Sequence, residues 1–399
     1  MSGSSQSGGR FPDDPIYLDH AAATPLAAEA AAAMAEAAGS FANPSSLHAA
    51  GRRAKRLLEE AREEILSILG GRTGGASRDR LVFTSGASEA NQLGVLGIAG
   101  DNPGWIGVSA RDHSSIRAAA DRLAAAGWQR RELRLRQDGQ LAADSLAEAL
   151  AGGSGGQRIL ALTSVCGQTG IRQDPAFLRA ARGAAEGLSI HADITQQVAW
   201  EPIGFAATPF ATAALAAAKF GGPRGIGALL IRDGVPISAV IPGPQELGLR
   251  GGTEAVPLAV GFARALAATA AARETAAAAV AALQERLEGG LLRAAAAAGI
   301  EAVIVGRDAS RAPHVTMLAL AGIDRQAAAM AADLAGVCLA TGTACASGSS
   351  EPPPVLAAVG LPERFRQGGL RLSLAATTTA AAIDEAVARL GGVFSRLAR

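Results

Sequence analysis

Between residues 80 and 193 the chain alternates short extended runs with helical patterns, and this rhythm restricts the possible folds more than any other feature. "RLVFT", "WIGVSA", "RELRLR", "RILALTSV" and "LSIHAD" read as strands, and "SEANQLGVLGIAG", "SSIRAAADRLAAAG", "ADSLAEALAGG" and "DPAFLRAARGAAEG" as the helices between them. Strands joined through helices with short Gly-rich connections predict a mostly parallel sheet covered on both faces, an α/β fold. Upstream, "PIYLDHAAATPL" reads as an extended segment ending in a Pro turn. Residues 26–38 and "RRAKRLLEEAREEILSIL" read as helices, the second with an acidic–basic face. "FATAALAAAK" is ambiguous: its alanines favour helix, whereas its place in the rhythm calls for a strand.

The alternation loosens near residue 232. The stretch from "VPLAVGFARALAATAAA" to "LLRAAAAAG" reads as one or two long helices. "EAVIVG", "HVTMLAL", the helix "DRQAAAMAADLAG", the loop "ATGTACASGSSEPPPVL" and "LRLSL" follow. This pattern predicts a disordered tail over 1–14, a large domain over 15–258 and a smaller α+β domain over 259–399. The start of the large domain is free to pack on the small one.

Hydrophobic residues make up 49% of the 399 and charged residues 18%, enough for a sizeable core. A net charge of +1 argues against nucleic acid or an anionic membrane as the main partner. No uninterrupted apolar run reaches the ~18 residues of a membrane span. Cys166, Cys338 and Cys345 form no close pair, so neither a disulfide framework nor a zinc site is expected. The expectation is a soluble, cytoplasmic protein.

Three places could carry chemistry. "VFTSGASEAN" sets a turn, Ser85 to Ser88, between a strand and a helix, where free amides and the positive helix end suit an anion; a plain N-cap, Ser85 with Glu89 in the first turn, is the alternative. Asp193 closes the strand "SIHAD", and the carboxyl ends of parallel strands are where such sheets bind ligands; a solvated strand-end acid is the alternative. Lys219 stands between an alanine run and a Gly-Gly-Pro turn, surroundings that suit a Schiff-base lysine or, more blandly, a snorkelling one.

Taken with "YLDHAAATP", "NPSSLHAAGRRAKRLLEEAREEI", "HADITQ", "KFGGPRGIGAL", "LGLRGGTEAVP", "TGTACASGS" and "RLSL", these segments resemble the cysteine desulfurases of the class-V, fold-type-I pyridoxal-phosphate family, in order, over about residues 15–390. The resemblance implies a seven-stranded, mostly parallel large domain with a small C-terminal domain, pyridoxal 5′-phosphate as cofactor, and L-cysteine converted to L-alanine with a persulfide left on the enzyme. It implies that Lys219 holds the cofactor, Asp193 pairs with its ring nitrogen and His113 stacks on the ring. Gln196 would meet the ring oxygen, while Ala87 and Ser88 would form the phosphate cup. Thr253 would reach the partner subunit's phosphate in a homodimer. Arg371 would clamp the substrate carboxylate, Asn43 would lie near the substrate, and Cys345 would be the nucleophile that hands sulfur to an acceptor such as an iron–sulfur scaffold or the tRNA-thiolation machinery.

The chain departs from the family at several positions. Ala216 and Ala218 stand where a Ser-x-His pair is usual, each lost contact to a charged group costing about 1.5–3 kcal/mol. Cys166, Gly167 and Gln168 replace an Asn-Asn-Glu run near the ring oxygen and substrate, and Leu247 replaces an arginine. A selenocysteine lyase, another class-V lyase or aminotransferase, or a non-catalytic paralogue acting as a protein partner are the alternative readings these changes motivate.

Overall fold

The computed structural model describes residues 15–100, 102–152, 156–185, 187–342 and 351–398. The alternating segments assemble into a seven-stranded sheet. Its order is Arg80–Thr84, Gly227–Ile231, Thr212–Ala216, Leu188–Asp193, Arg158–Thr163, Trp105–Ser109, Gln129–Leu133. Gly227–Ile231 runs antiparallel to both neighbours, and every other adjacent pair is parallel. Six strands therefore bring their carboxyl ends to one edge, and helices bury apolar clusters on both faces of the sheet.

"FATAALAAAK" resolves into the strand Thr212–Ala216 and one 3₁₀ turn, Ala217–Lys219. All five strand residues are buried, with hydrogen-bonded neighbours on both sides. That central position gives the backbone partners on both sides and overrides alanine's preference for helix.

Val256–Ala297 is a single helix of 42 residues. Its first turns, to Leu266, lie in the core under the large sheet, and Val280 to Ala295 belong to the core of the C-terminal part. By length and apolar composition it is the one described helix that would also suit a membrane span; here it packs on the helices Ala28–Ala38, Ala49–Ile68 and Ala380–Leu397.

The C-terminal part is a three-stranded antiparallel sheet, ordered Gly369–Ser373, Val315–Leu320, Ala302–Ile304. Ile16–Tyr17 pairs in parallel with Val337–Cys338. Cys338 is half-buried there, and burial followed by the nearby Asp333 raises its thiol pKa. The chain then follows Gly369–Ser373: Ser373 N donates to Leu18 O at 2.7 Å and Ala21 N to Ser373 Oγ at 2.8 Å. This seam delivers Asp19 to Ala22 to the carboxyl edge of the large sheet.

Candidate active site

A cavity of about 790 Å³ opens where the parallel strands end. Ala87, Ser88, His113, Asp193, Gln196, Lys219 and Arg371 all line it. Within one chain the structure brings these seven predicted residues together although they span 284 positions (371 − 87).

Asp193 is the last residue of its strand and is buried. Its carboxylate accepts from Asn91 Nδ2 at 2.8 Å and from Thr195 N at 3.0 Å. Asn91, on the helix Ala87–Ile98, also donates to Ser115 Oγ at 2.9 Å, and its Oδ1 lies 2.9 Å from His191 Nε2. An amide oxygen only accepts, so Nε2 of His191 carries the proton and Nδ1 takes the Thr212 hydroxyl at 2.9 Å. Burial pushes His191 down to about 4, so the ring is neutral at physiological pH. The helix packs so closely here that a Cβ at Gly94 would lie 2.4 Å from His191 Cε1.

The same network reaches His113, the N-cap of the helix Ser114–Ala125. Its Nδ1 accepts from Ser115 N at 3.2 Å and lies 2.7 Å from Ser115 Oγ. Asn91 thus ties the predicted ring acid to the predicted stacking imidazole. Asn91, His191 and Ser115 escaped the sequence reading, although "IHAD" carries one signal. His191 and Asp193 are two apart on a strand and share a face.

Lys219 closes the 3₁₀ turn, half-buried, and donates from Nζ to Ala22 O at 2.5 Å. In the Ser85–Ser88 turn the N-cap is Gly86, not Ser85. Glu89 folds back to accept from Ser85 N at 2.6 Å and takes Arg250 Nε at 3.0 Å. Burial works against its charge, but the Ser85 and Arg250 hydrogen bonds prevail and hold its carboxyl below the usual range. Ala216 adds only a methyl to the cavity wall.

Arg371 lies on the Gly369–Ser373 strand. Its Nη2 donates to Asp19 Oδ1 at 2.8 Å and Nη1 to Gly167 O at 3.1 Å. Its Nε, with Thr195 Oγ1 and Gln168 Oε1, is buried without a protein partner among the described residues. Orphaned donors and acceptors on a cavity wall mark a place for a polar ligand. An amine, a buried carboxylate, an imidazole and a helix-opening turn around one space are a donor set that fits pyridoxal phosphate.

Two predicted residues lie elsewhere in the chain. Asn43 is exposed, its Oδ1 accepting from Ser45 N at 2.9 Å, and Thr253 is exposed as well; neither lines the cavity. Cys345 lies outside the described residues, but Gly342 and Glu351 to Val355, on either side of it, line the cavity. Cys166 is packed in an apolar cluster with Met317 and Phe365, its Sγ donating to Arg111 O at 3.5 Å. Among the described residues no cluster of His, Cys, Asp and Glu could hold a metal ion.

A family model described as Aminotransferase class-V matches residues 16–386. A cysteine desulfurase of Cereibacter sphaeroides is 33% identical over 392 residues, covering 96% of each chain. Among solved structures, a NifS-like protein from Rickettsia africae ESF-5 superposes with a TM-score of 0.83 at 26% identity, covering 95% of this chain and 99% of that one. A structure of SspA in complex with cysteine gives a TM-score of 0.75 at 25% identity, covering 91% and 99%.

Proposed function

Because the chain belongs to the class-V aminotransferase family, we propose that it is a cysteine desulfurase that converts L-cysteine to L-alanine and leaves the sulfur as a persulfide on Cys345. The observation that carries this reading is the convergence of Lys219, Asp193, His113 and Arg371 on one cavity, with both flanks of Cys345 on its rim. Lys219, Asp193 and the Ser85–Ser88 turn would hold pyridoxal phosphate, which when bound would supply an electron sink.

The chain's own residues do the rest. Arg371 takes the substrate carboxylate with a planar fork that Asp19 and the Gly167 carbonyl already hold in place. Asp193, oriented by hydrogen bonds from Asn91 and Thr195, would pair with a proton on the ring nitrogen. Lys219 and His113 move the protons. The Cys345 thiolate attacks the substrate sulfur and the carbon–sulfur bond breaks. The carbon keeps that electron pair and takes a proton, which gives alanine. The persulfide then passes to an acceptor protein.

The active form on this reading is a homodimer. Phe41 and Leu47, 91% and 90% exposed, flank Asn43, and Leu247, 58% exposed, precedes Thr253. Glu246 and Leu247 both hold left-handed backbone, φ 47° and 61°. Glu246 is pinned there by Arg62 at 2.7 and 2.9 Å and by Phe83 N at 2.7 Å. Such strain persists only where its surroundings over-determine it. A second subunit on these loops would cover the apolar side chains and complete the site.

The test is to load the purified chain with pyridoxal phosphate and supply L-cysteine. Yellow colour, alanine formation and a protein persulfide are expected. Lys219→Ala should abolish the colour, and Cys345→Ser should keep it while forming no persulfide. A parent protein that makes no alanine from cysteine overturns the proposal, and turnover of selenocysteine alone would reassign the substrate. Sedimentation equilibrium should give twice the 39.9 kDa chain mass.

A further inference from the structure

We propose that His314 is a positioning residue that locks the amide of Gln196 so that its nitrogen, and not its oxygen, serves the cavity. The inference rests on the cofactor reading above. His314 immediately precedes the Val315–Leu320 strand and is 3% exposed. Its ring stacks on Trp200, with centroids 4.9 Å apart and planes at 21°. Its Nε2 lies 2.9 Å from Gln196 Oε1, and Gln196 Nε2 lies 2.9 Å from the carbonyl oxygen of Ala21.

The hydrogen-bond inventory settles the orientation. A main-chain carbonyl can only accept, so the end of the amide facing Ala21 is the nitrogen. Oε1 then needs a donor, and His314 supplies it as Nε2–H. The ring's other nitrogen, Nδ1, is buried without a partner among the described residues, as a neutral Nε2–H tautomer allows. Burial first, and then Arg371, Arg172 and His20 nearby, disfavour a charge on the ring. Turning the amide over would set oxygen against oxygen at Ala21 and N–H against N–H at His314.

One N–H of Gln196 is thereby committed to Ala21 and the second is left for whatever fills the cavity, which both residues line. Gly167 lies on the same wall. A Cβ there would sit 3.5 Å from Gln196 Cγ and 3.7 Å from Nε2, and glycine offers no side chain of its own. Recognition on this wall therefore falls to a locked donor, which favours a negatively charged oxygen on the bound ring. His314 and Trp200 act on that oxygen only through Gln196.

Two measurements test this. The first uses ¹⁵N-histidine NMR on the unloaded full chain, which has five histidines; the His314 signal is assigned by its loss in His314→Phe. A neutral Nε2–H ring from pH 8 down to pH 5 is expected, and an Nδ1–H tautomer or a cationic ring at pH 6 overturns the proposal. The second follows the near-visible absorption of the pyridoxal-phosphate-loaded protein against pH. His314→Phe keeps the stack and removes the donor, so the midpoint should rise by about 1 unit or more. His314→Gln, which restores an N–H, should recover most of that rise. An unchanged midpoint in a His314→Phe protein with parental melting temperature also overturns the proposal. If the parent takes up no cofactor, the cofactor reading fails by itself, and the tautomer still decides how His314 holds Gln196.

Discussion

Asn91→Leu is the most informative single change outside the residues that face the cavity chemistry. Leucine has the same branched heavy-atom skeleton as asparagine, so the outline of the side chain is largely kept and the polar network is removed. Three contacts disappear: 2.8 Å to the Asp193 carboxylate, 2.9 Å to Ser115 Oγ and 2.9 Å to His191 Nε2. The bond to a charged group contributes about 1.5–3 kcal/mol, and stranding the buried His191 N–H costs about 1–3 kcal/mol more. Ser115 keeps its bond to His113, so the loss sums to about 2.5–6 kcal/mol. At about 2.1 cal/mol/K per residue, unfolding 399 residues carries roughly 0.8 kcal/mol/K, so the melting temperature should fall by about 3–7 °C. Calorimetry on the unloaded protein reads this without any assumption about the reaction. The loaded protein should also bind pyridoxal phosphate more weakly, because Asp193 would accept from Thr195 N alone. A shift below about 1 °C would refute the network's role, since even one stranded donor should exceed it.

Restoring the missing hydroxyl and imidazole together, Ala216→Ser with Ala218→His, should tighten cofactor binding by about tenfold or more per contact, read as the apparent Kd for pyridoxal phosphate. Arg371→Lys loses the planar fork that holds Asp19 and Gly167 O, and kcat/KM for L-cysteine should drop about 10- to 100-fold, mainly through KM. Acid should destabilise the fold in a defined window. His191 and His314 titrate at about 4 and about 3 when folded against 6.5 ordinarily, so the unfolded chain binds more protons as pH falls below 6.5. Their contribution is lost progressively from pH 6.5 down to about 4 for His191 and about 3 for His314. Asp112, which burial raises to about 6 from 3.8, acts in the opposite sense between pH 6 and 3.8 and offsets part of the loss. Urea midpoints across this range should fall less steeply in His314→Phe than in the parent; equal slopes would show that His314 is not buried neutral.

The alternation from residue 80 to 193, the turn at Ser88 and the strand end at Asp193 were legible because period and punctuation are local properties, whereas His113 was singled out only by the family resemblance and the strand before Lys219 stayed ambiguous. Strand-end residues of a parallel sheet share an edge whatever the strand order, so their convergence followed from the fold class. Other features depended on neighbours the sequence does not name. The alanine run at Thr212–Ala216 became a strand because two other strands bracket it. The continuity of Val256–Ala297 across two cores rests on packing at both ends. Asn91 meets His191 across 100 positions, His314 meets Gln196 across 118, and Asp19 meets Arg371 across 352. Which reactive groups this chain carries, and on which edge, was written in one dimension. Which buried partner orients each of them was decided only by folding, because a hydrogen bond of 2.8 Å is set by the order of strands in space and leaves no periodic trace along the chain.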